Sequence, residues 1–191
     1  MTEEMQARKE LFEWVRTLVC AVVGFLVVFT FVVRLVWVDG PSMRETLQHQ
    51  DVLLAACGWL CGEYEQGDIV ILAKPEFEDG APIVKRVIAV EHQTVDIDFY
   101  EGIVYVDGEP LEEPYTREPT FLDEGVSFPL TVPEGHVFVL GDNRNDSKDS
   151  RHPELDCVDT RRIIGKAVLL LLPGKSADSN SREWTRIGTL N

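Results

Sequence analysis

The sequence predicts an all-β domain of antiparallel sheets that is preceded by one N-terminal transmembrane helix. The first observation is a run of seventeen uncharged residues from Thr17 to Val33. The second is that, beyond this run, short apolar segments rich in β-branched residues alternate with Gly, Pro and Asp. Strands bounded by such turn residues are typical of antiparallel sheets. A length of 191 residues fits one domain with a small appendage.

The apolar run is expected to be a membrane anchor. Seventeen residues of helix span about 25 Å, and continuing past Arg34 to Val38 brings the segment to bilayer thickness. Trp14 and Trp37 would lie roughly 34 Å apart on this helix, near the two interfaces. The following VWVDGPSM offers no small-x-small cleavage site, so the anchor is expected to stay uncleaved. The basic residues around the span give only a slight bias toward a cytoplasmic N terminus.

The remainder, residues 39–191, is expected to form one β-rich domain. Asp107-Gly108 has the composition of a two-residue hairpin turn, and no internal repeat or domain boundary is evident. Six segments are expected to be strands: DIVILA (68–73), PIVKRVIAV (82–90), TVDIDF (94–99), IVYVDG (103–108), HVFVLGD (136–142) and IIGKAVLLLL (163–172).

Charge and composition exclude several classes of function. The chain has 33 acidic and 18 basic residues, a net charge of -15, which opposes binding to nucleic acid. Four cysteines are too few for a disulfide scaffold, and Cys57 and Cys61 are expected to be a loop disulfide or two buried thiols rather than zinc ligands. The four histidines lack metal-binding spacing, and no GxSxG motif is present. Neither a metal site nor a Ser-His-Asp hydrolase is therefore expected.

A serine and a lysine in the chain could act together in nucleophilic catalysis. Ser42, in Asp39-Gly40-Pro41-Ser42-Met43, follows the anchor closely, although the tripeptide alone favours a Gly-Pro-Ser turn that joins the anchor to the domain. Lys85 lies in an apolar strand, where alternation places Lys85 and Arg86 on opposite faces. A buried lysine loses basicity and can serve as a general base near neutral pH. Both cations could instead be edge-strand charges or ion-pair partners.

The segment GDNRNDSKDSR, residues 141–151, is the most polar stretch of the chain and directly follows the apolar strand HVFVL. A solvated loop is one interpretation. The other is a buried hydrogen-bonded network, because the segment offers two pairs of opposite charges, Asp142 and Asp149 with Arg144 and Arg151, beside Ser147.

Together these features resemble the type I signal peptidase family, whose members use a Ser-Lys dyad. The similarity runs through PSMRETL (41–47), QGDIVIL (66–72), VKRVIAV (84–90), DGEPLEEPY (107–115), GDNRNDSKDSR (141–151) and IIGKA (163–167), and ends with RIG (186–188). Departures from the family pattern are Glu45 in place of a common proline, the turn at residues 91–93, and Gly40 where some relatives have a serine that assists the oxyanion hole.

The resemblance implies a signal-peptidase-like fold and a membrane-anchored serine endopeptidase that removes signal peptides from secreted preproteins. It implies a bacterial cytoplasmic membrane crossed once, with residues 1–38 as cytoplasmic tail and anchor and residues 39–191 as an extracytoplasmic peptidase domain. The expected partners are preproteins and the lipid bilayer. Alternatives are a tethered β-domain that only binds partners, and a Ser-Lys protease with another membrane-tethered substrate.

The resemblance also assigns roles to individual residues. Ser42 is the expected nucleophile and Lys85 the general base, a mechanism that needs no metal and no cofactor. As supporting residues, Ser147 is expected to form a hydrogen bond with Lys85 and orient it, Arg86 to pair with Asp142, and Asp149 to pair with Arg151. The substrate-binding residues are expected to be Val38, Met43 and Val84, which would pair with an extended peptide and leave small pockets for alternate side chains.

Overall fold

The computed structural model describes residues 3–176 and 181–190. It begins with one long helix, α1 (Glu3–Phe31), whose segment Arg8–Phe31 is long and apolar enough to cross a membrane. The large apolar side chains of this segment, among them Leu18 and Phe25, are exposed rather than packed on the domain. The predicted N-terminal apolar helix is confirmed.

The expected extension of this helix to Val38 is wrong. Helix α1 ends at Phe31, and Val33–Trp37 form strand β1, which pairs with the next strand in register from Val33↔Ala56 to Trp37↔Val52. β-Branched residues favour a strand when a partner offers backbone hydrogen bonds. Trp37 therefore lies on a sheet edge rather than on a helix. The assignment of residues 1–38 to tail and anchor, and of residues 39–191 to the other side of a membrane, stays a prediction.

Within the described residues, twelve strands form two antiparallel sheets, so the predicted β-class is confirmed. The larger sheet has the order β1-β2-β11-β3-β4-β9-β10, with β12 also paired to β11, and the smaller has the order β7-β6-β5-β8. The remaining strands are β2 (Val52–Cys57), β3 (Ile69–Leu72), β4 (Ile83–Val90), β5 (Thr94–Asp98), β6 (Ile103–Val106), β7 (Glu109–Pro110), β8 (Leu130–Thr131), β9 (His136–Leu140), β10 (Val158–Asp159), β11 (Ile163–Leu172) and β12 (Gly188–Thr189).

All six predicted strand segments contain an observed strand. The hairpin between β6 and β7 turns at Asp107 and Gly108, which both have positive φ, as the two-residue turn requires. The four cysteines are free thiols, with Cys57 buried and Cys61 half-buried. Of the two alternatives expected for Cys57 and Cys61, the structure therefore contains the two thiols and not the loop disulfide.

Strand β4 is the structural centre of the domain. Its side chains enter three separate core clusters: Val84 joins one with Met43 and Leu47, Val87 joins a second, and Ile88 joins a third. Because β3 and β9 flank the strand, Lys85 and Arg86 are not edge-strand charges. Both are buried, with 3% and 2% of their surface exposed.

Candidate active site

Ser42 lies in the loop between β1 and β2 and is held there by the segment after β9. The Asn143 N–H donates to the Ser42 carbonyl at 3.0 Å, and the Asn143 amide donates to the Pro41 carbonyl at 3.1 Å. On its other side the loop is anchored by the buried side chains of Met43 and Leu47. The Ser42 N–H has no acceptor in the part of the chain that the structure describes. It is therefore free to bind a developing oxyanion.

The approach of these two segments depends on Gly141. A Cβ placed there would collide with the Ser147 hydroxyl and with the Ser42 carbonyl oxygen. The absence of a side chain at this position is what allows the nucleophile loop and the polar segment to pack against each other.

Lys85 projects from β4 toward this junction. Burial lowers the pKa of its amine from 10.5 to about 8, although Asp149 and Glu124 act in the opposite direction. No hydrogen bond to the amine is present among residues 3–176 and 181–190. A largely desolvated amine of this kind is partly neutral at physiological pH and can accept a proton.

Ser42, Lys85 and Ser147 line one open groove of about 570 Å³, named here the Ser42 groove. Its walls come from residues 39–42, from residues 77, 78, 81–83 and 85 before and within β4, from residues 122 and 124, and from residues 145–148. Residues 43 positions apart in the sequence thus meet at one surface, where the serine is half-buried and the lysine almost fully buried. A groove open to solvent on one side suits a bound peptide.

The predicted ion pair between Arg86 and Asp142 is present and fully buried. Arg86 donates from Nε to Asp142 Oδ1 at 2.9 Å and from Nη2 to Oδ2 at 2.8 Å. The Thr46 hydroxyl donates to the same carboxylate at 2.5 Å, and the Arg86 guanidinium stacks 4.0 Å from the Tyr115 ring centre. This pair joins β4 to the nucleophile loop through Thr46.

The second predicted pair, Asp149 with Arg151, is also present, with Nε to Oδ1 at 2.8 Å and Nη2 to Oδ2 at 2.8 Å. Asp149 further accepts from the Gly141 N–H at 3.0 Å. Asp142, Asp149 and Arg151 have no exposed surface, so the charged pairs of residues 141–151 form the buried network, whereas Asp146 and Lys148 in the same segment are exposed.

The expected hydrogen bond between Ser147 and Lys85 is absent from this structure. The Ser147 hydroxyl donates instead to Asp149 Oδ2 at 2.9 Å. A carboxylate two residues along the chain is a charged acceptor and binds a hydroxyl more strongly than a neutral amine does. Ser147 still shares the wall of the Ser42 groove with Lys85.

The three predicted substrate-binding residues have side chains in the core, and their role in binding a peptide stays a prediction. Val38, Met43 and Val84 are buried in one core cluster and do not line the Ser42 groove. The peptide groups of Val38 are bonded within the chain, since its N–H donates to Asp51 at 2.9 Å and its carbonyl accepts from Gln50 at 2.8 Å. Apolar side chains gain more from burial in the core than from an open groove.

The peptide groups of Val84 are in a different situation. Val87 bonds through its N–H to Asp68 and through its carbonyl to Gly67, on the β3 side of the strand. By alternation Val84 directs its peptide groups to the opposite side. There β9 pairs with β4 only from Arg86 onward, which leaves the edge at Val84 open.

Sequence reasoning missed two charge clusters that brace the site. Arg144 donates to Glu113 Oε2 at 2.7 Å and to the Thr120 hydroxyl at 2.9 Å. Asp51 accepts from Arg186 Nη2 at 2.6 Å, while the same guanidinium group donates to the Thr46 carbonyl at 3.0 Å. The partners are separated by 31 and 135 positions, and no local pattern links them.

Glu124 was also missed. It lines the Ser42 groove, accepts from the Asp149 N–H at 3.2 Å, and has a pKa raised by burial and by the neighbouring Asp149. A lone glutamate in a loop carries no sequence signal of such a position.

Comparison with known proteins identifies the family to which the chain belongs. The family model described as signal peptidase, peptidase S26, matches residues 11–172. The chain belongs to the signal peptidase family. It is 36% identical to signal peptidase I of Bacillus licheniformis, over 91% of this chain and 96% of that protein. It is 33% identical to probable signal peptidase I-1 of Synechocystis, over 90% of this chain and 84% of that protein.

Among solved structures, a signal peptidase I from Enterococcus faecalis is 31% identical, with a TM-score of 0.44, and the match covers 55% of this chain and 96% of that one. Membership of the signal peptidase family makes this protein a peptidase, a hydrolase of peptide bonds. The alternative of a β-domain that only binds partners is thereby excluded, and the apolar helix α1 is compatible with membrane anchoring.

Proposed function

We propose that this protein removes signal peptides from secreted preproteins, with Ser42 as nucleophile and Lys85 as general base. The observation that carries the proposal is that Ser42 and a buried lysine with a pKa of about 8 line the same groove. Neutral Lys85 would take the Ser42 hydroxyl proton as the oxygen attacks the scissile carbonyl. The protonated amine would then donate that proton to the leaving amine, which leaves an acyl-enzyme at Ser42.

Hydrolysis of the acyl-enzyme repeats this proton transfer with a water molecule. Lys85, neutral again, would accept a proton from the water that attacks the ester, and the Ser42 oxygen would recover its proton as it leaves. The oxyanion of each step would lie against the free N–H of Ser42. Gly40 contributes no hydroxyl there, so the main chain supplies the stabilisation.

The substrate would bind as an added β-strand. The open edge at Val84 offers a peptide N–H and carbonyl beside Lys85, where an extended chain can pair. Side chains of such a strand alternate, so the residue before the cut and the residue two positions further upstream would face the same wall. Small residues such as alanine should therefore be preferred at both positions.

The surrounding network would support the site without contacting substrate. Arg86 with Asp142 and Asp149 with Arg151 fix the segments that carry Lys85 and Ser147, and catalysis is sensitive to ångström-scale displacements. Ser147 lines the groove beside Lys85 and would orient the amine if its hydroxyl turned from Asp149.

Membrane anchoring suits this chemistry. Ser42 follows Phe31, the last residue of α1, by only eleven positions, so the groove stays within about 40 Å of the helix end. We propose that α1 crosses the bacterial cytoplasmic membrane once, with its N terminus in the cytoplasm and the β-domain outside. The apolar segment of a signal peptide in the same bilayer would then deliver its cleavage site to the groove.

The test uses the full chain in detergent with a preprotein substrate and a serine-directed acylating inhibitor. Ser42→Ala should abolish both cleavage and covalent labelling. Lys85→Arg should also be inactive, because a guanidinium keeps its proton at any relevant pH. Lys148→Arg is the matched control, since Lys148 lines the same groove but is 57% exposed and should tolerate the change. Substantial turnover by Lys85→Arg would remove the lysine from the proposed role.

The choice of substrate separates the proposal from a Ser-Lys protease with another membrane-tethered target. Preproteins with alanine at the two specified positions should be cut, and those with phenylalanine there should not. Labelling of Ser42 without any preprotein cleavage would support the alternative protease.

A further inference from the structure

A second pocket lies where helix α1 meets the larger sheet. It has a volume of about 680 Å³ and is named here the helix-exit pocket. Its walls include the last helical residues Thr30 and Phe31, Arg34 on β1, Trp59 after β2, and Arg161 with Arg162 before β11. It shares no lining residue with the Ser42 groove, so it is a separate feature of the domain.

The helix-exit pocket concentrates positive charge in a chain of net charge -15. Three arginines line it, and its lining contains no carboxylate. Arg161 is paired with Asp159, at 2.9 Å from Nε to Oδ1. Arg34 and Arg162 have no carboxylate within 4.0 Å in residues 3–176 and 181–190. Two guanidiniums without counter-charges therefore face one cavity.

The end of helix α1 opposes this charge only weakly. A helix C-terminus carries roughly half a negative charge. Its terminal carbonyls are also bonded, because Phe31 accepts from the Trp59 indole N–H at 2.7 Å and Val32 accepts from the Cys57 N–H at 3.0 Å. The arginines outweigh this half charge, and the pocket favours an anion.

Exposed aromatic side chains line the pocket. Of the aromatic residues in its lining, Trp59 is 69% exposed and Phe31 is also exposed. Indole rings at the end of an apolar helix are typical of the level of lipid headgroups. If α1 crosses the membrane as proposed above, the arginines lie at the depth of the lipid phosphates.

We propose that the helix-exit pocket binds the phosphate of an anionic phospholipid headgroup, with Arg34 and Arg162 as its principal ligands. The planar guanidinium group matches the geometry of phosphate and binds it with paired hydrogen bonds. A headgroup held there would fix the β-domain on the membrane surface. This inference rests on the proposed membrane crossing of α1 but not on the proposed catalytic residues.

The test measures lipid binding by native mass spectrometry of the full chain in non-ionic detergent. Phosphatidylglycerol should be retained at least roughly tenfold better than phosphatidylcholine, which has no net charge. Arg162→Gln should weaken phosphatidylglycerol binding roughly fivefold, and the double variant Arg34→Gln/Arg162→Gln roughly thirtyfold. Arg117→Gln removes a half-exposed arginine outside the pocket and should leave binding unchanged.

Three results would overturn the assignment. The first is equal retention of the two lipids by the wild type, and the second is unchanged binding by the double variant. The third is displacement of the lipid by inorganic phosphate at a similar concentration, which would indicate a general oxyanion site. Cleavage of a soluble peptide in detergent should be the same in the wild type and the double variant. That assay verifies folding and separates failure of lipid binding from failure of the proposed function.

Discussion

Replacement of Lys85 by methionine should abolish activity and, at neutral pH, increase stability. Lys85 is 3% exposed, and burial lowers the pKa of its amine to about 8 against the influence of Asp149 and Glu124. Methionine keeps the length of the side chain and removes the group that opposes burial. The same residue should thus be essential for catalysis and unfavourable for folding.

The magnitudes follow from the lowered pKa. With a pKa of about 8, roughly one-tenth of Lys85 is neutral at pH 7, against about one part in three thousand for an ordinary lysine. The value of kcat/KM should therefore rise about tenfold per pH unit below pH 8 and level off above pH 9.

The effect on stability has a definite sign. In the unfolded chain the amine recovers its ordinary pKa of 10.5, so between pH 8 and pH 10.5 the unfolded state binds more protons than the folded state. Stability consequently rises with pH through that window, and the full penalty, about 3 kcal/mol, applies below pH 8. Lys85→Met should remove the penalty, and its advantage over the wild type should shrink as the pH approaches 10.5.

Two assays on the full chain in detergent measure these effects. Peptide cleavage between pH 6 and pH 10 gives the rise of kcat/KM with pH. Urea unfolding at pH 7 and pH 10 gives the difference in unfolding free energy between Lys85→Met and the wild type. Lys148→Met is the control, because Lys148 lines the same groove with its side chain 57% exposed and should change neither quantity appreciably. A rise of kcat/KM centred above pH 10, or a Lys85→Met variant less stable than the wild type at pH 7, would refute the reasoning.

Two further predictions concern the surrounding network. Asp142→Ala leaves the buried Arg86 without its counter-charge and should cost about 3–5 kcal/mol of unfolding free energy, whereas Asp146→Ala, at an exposed position, should cost under about 0.5 kcal/mol. Similar urea midpoints for these two variants would contradict burial of the network. Gly141→Ala forces the nucleophile loop away from the polar segment and should lower kcat roughly a hundredfold. Gly188→Ala meets no neighbouring atom and should retain wild-type kcat, so an equal loss in both would show that close packing at Gly141 is unimportant.

The sequence predicted the elements that depend on local pattern. Runs of β-branched residues between turn residues marked the strands. The polar block after an apolar strand was compatible with a solvated loop or a buried network, and the family resemblance supplied its ion pairs. The end of the helix was misplaced because VRLVW continues the apolar run with only Arg34 as an interruption and contains neither Gly nor Pro. Only the presence of β2 as a hydrogen-bonding partner makes Val33–Trp37 a strand. Tertiary pairing of this kind overrides what a single segment favours.

Contacts between distant residues were the part that could not be predicted. Asp51 and Arg186 are 135 positions apart, and nothing in either local sequence indicates the partner. The acceptor of the Ser147 hydroxyl was mistaken for a related reason. Two groups, Lys85 and Asp149, compete for that hydroxyl, and the choice depends on side-chain positions that a motif does not specify.

The network also explains how a lysine surrounded by carboxylates can lose its proton. An unpaired carboxylate beside Lys85 would raise the pKa of the amine and keep it charged. Asp149 does act in this direction, but Arg151, bonded to it at 2.8 Å, acts in the opposite direction on the same amine. The carboxylate can therefore organise the Gly141 N–H and the Ser147 hydroxyl while much of its charge is balanced. Burial then dominates the pKa of Lys85, so the arginine helps to set the pH at which the lysine becomes a base.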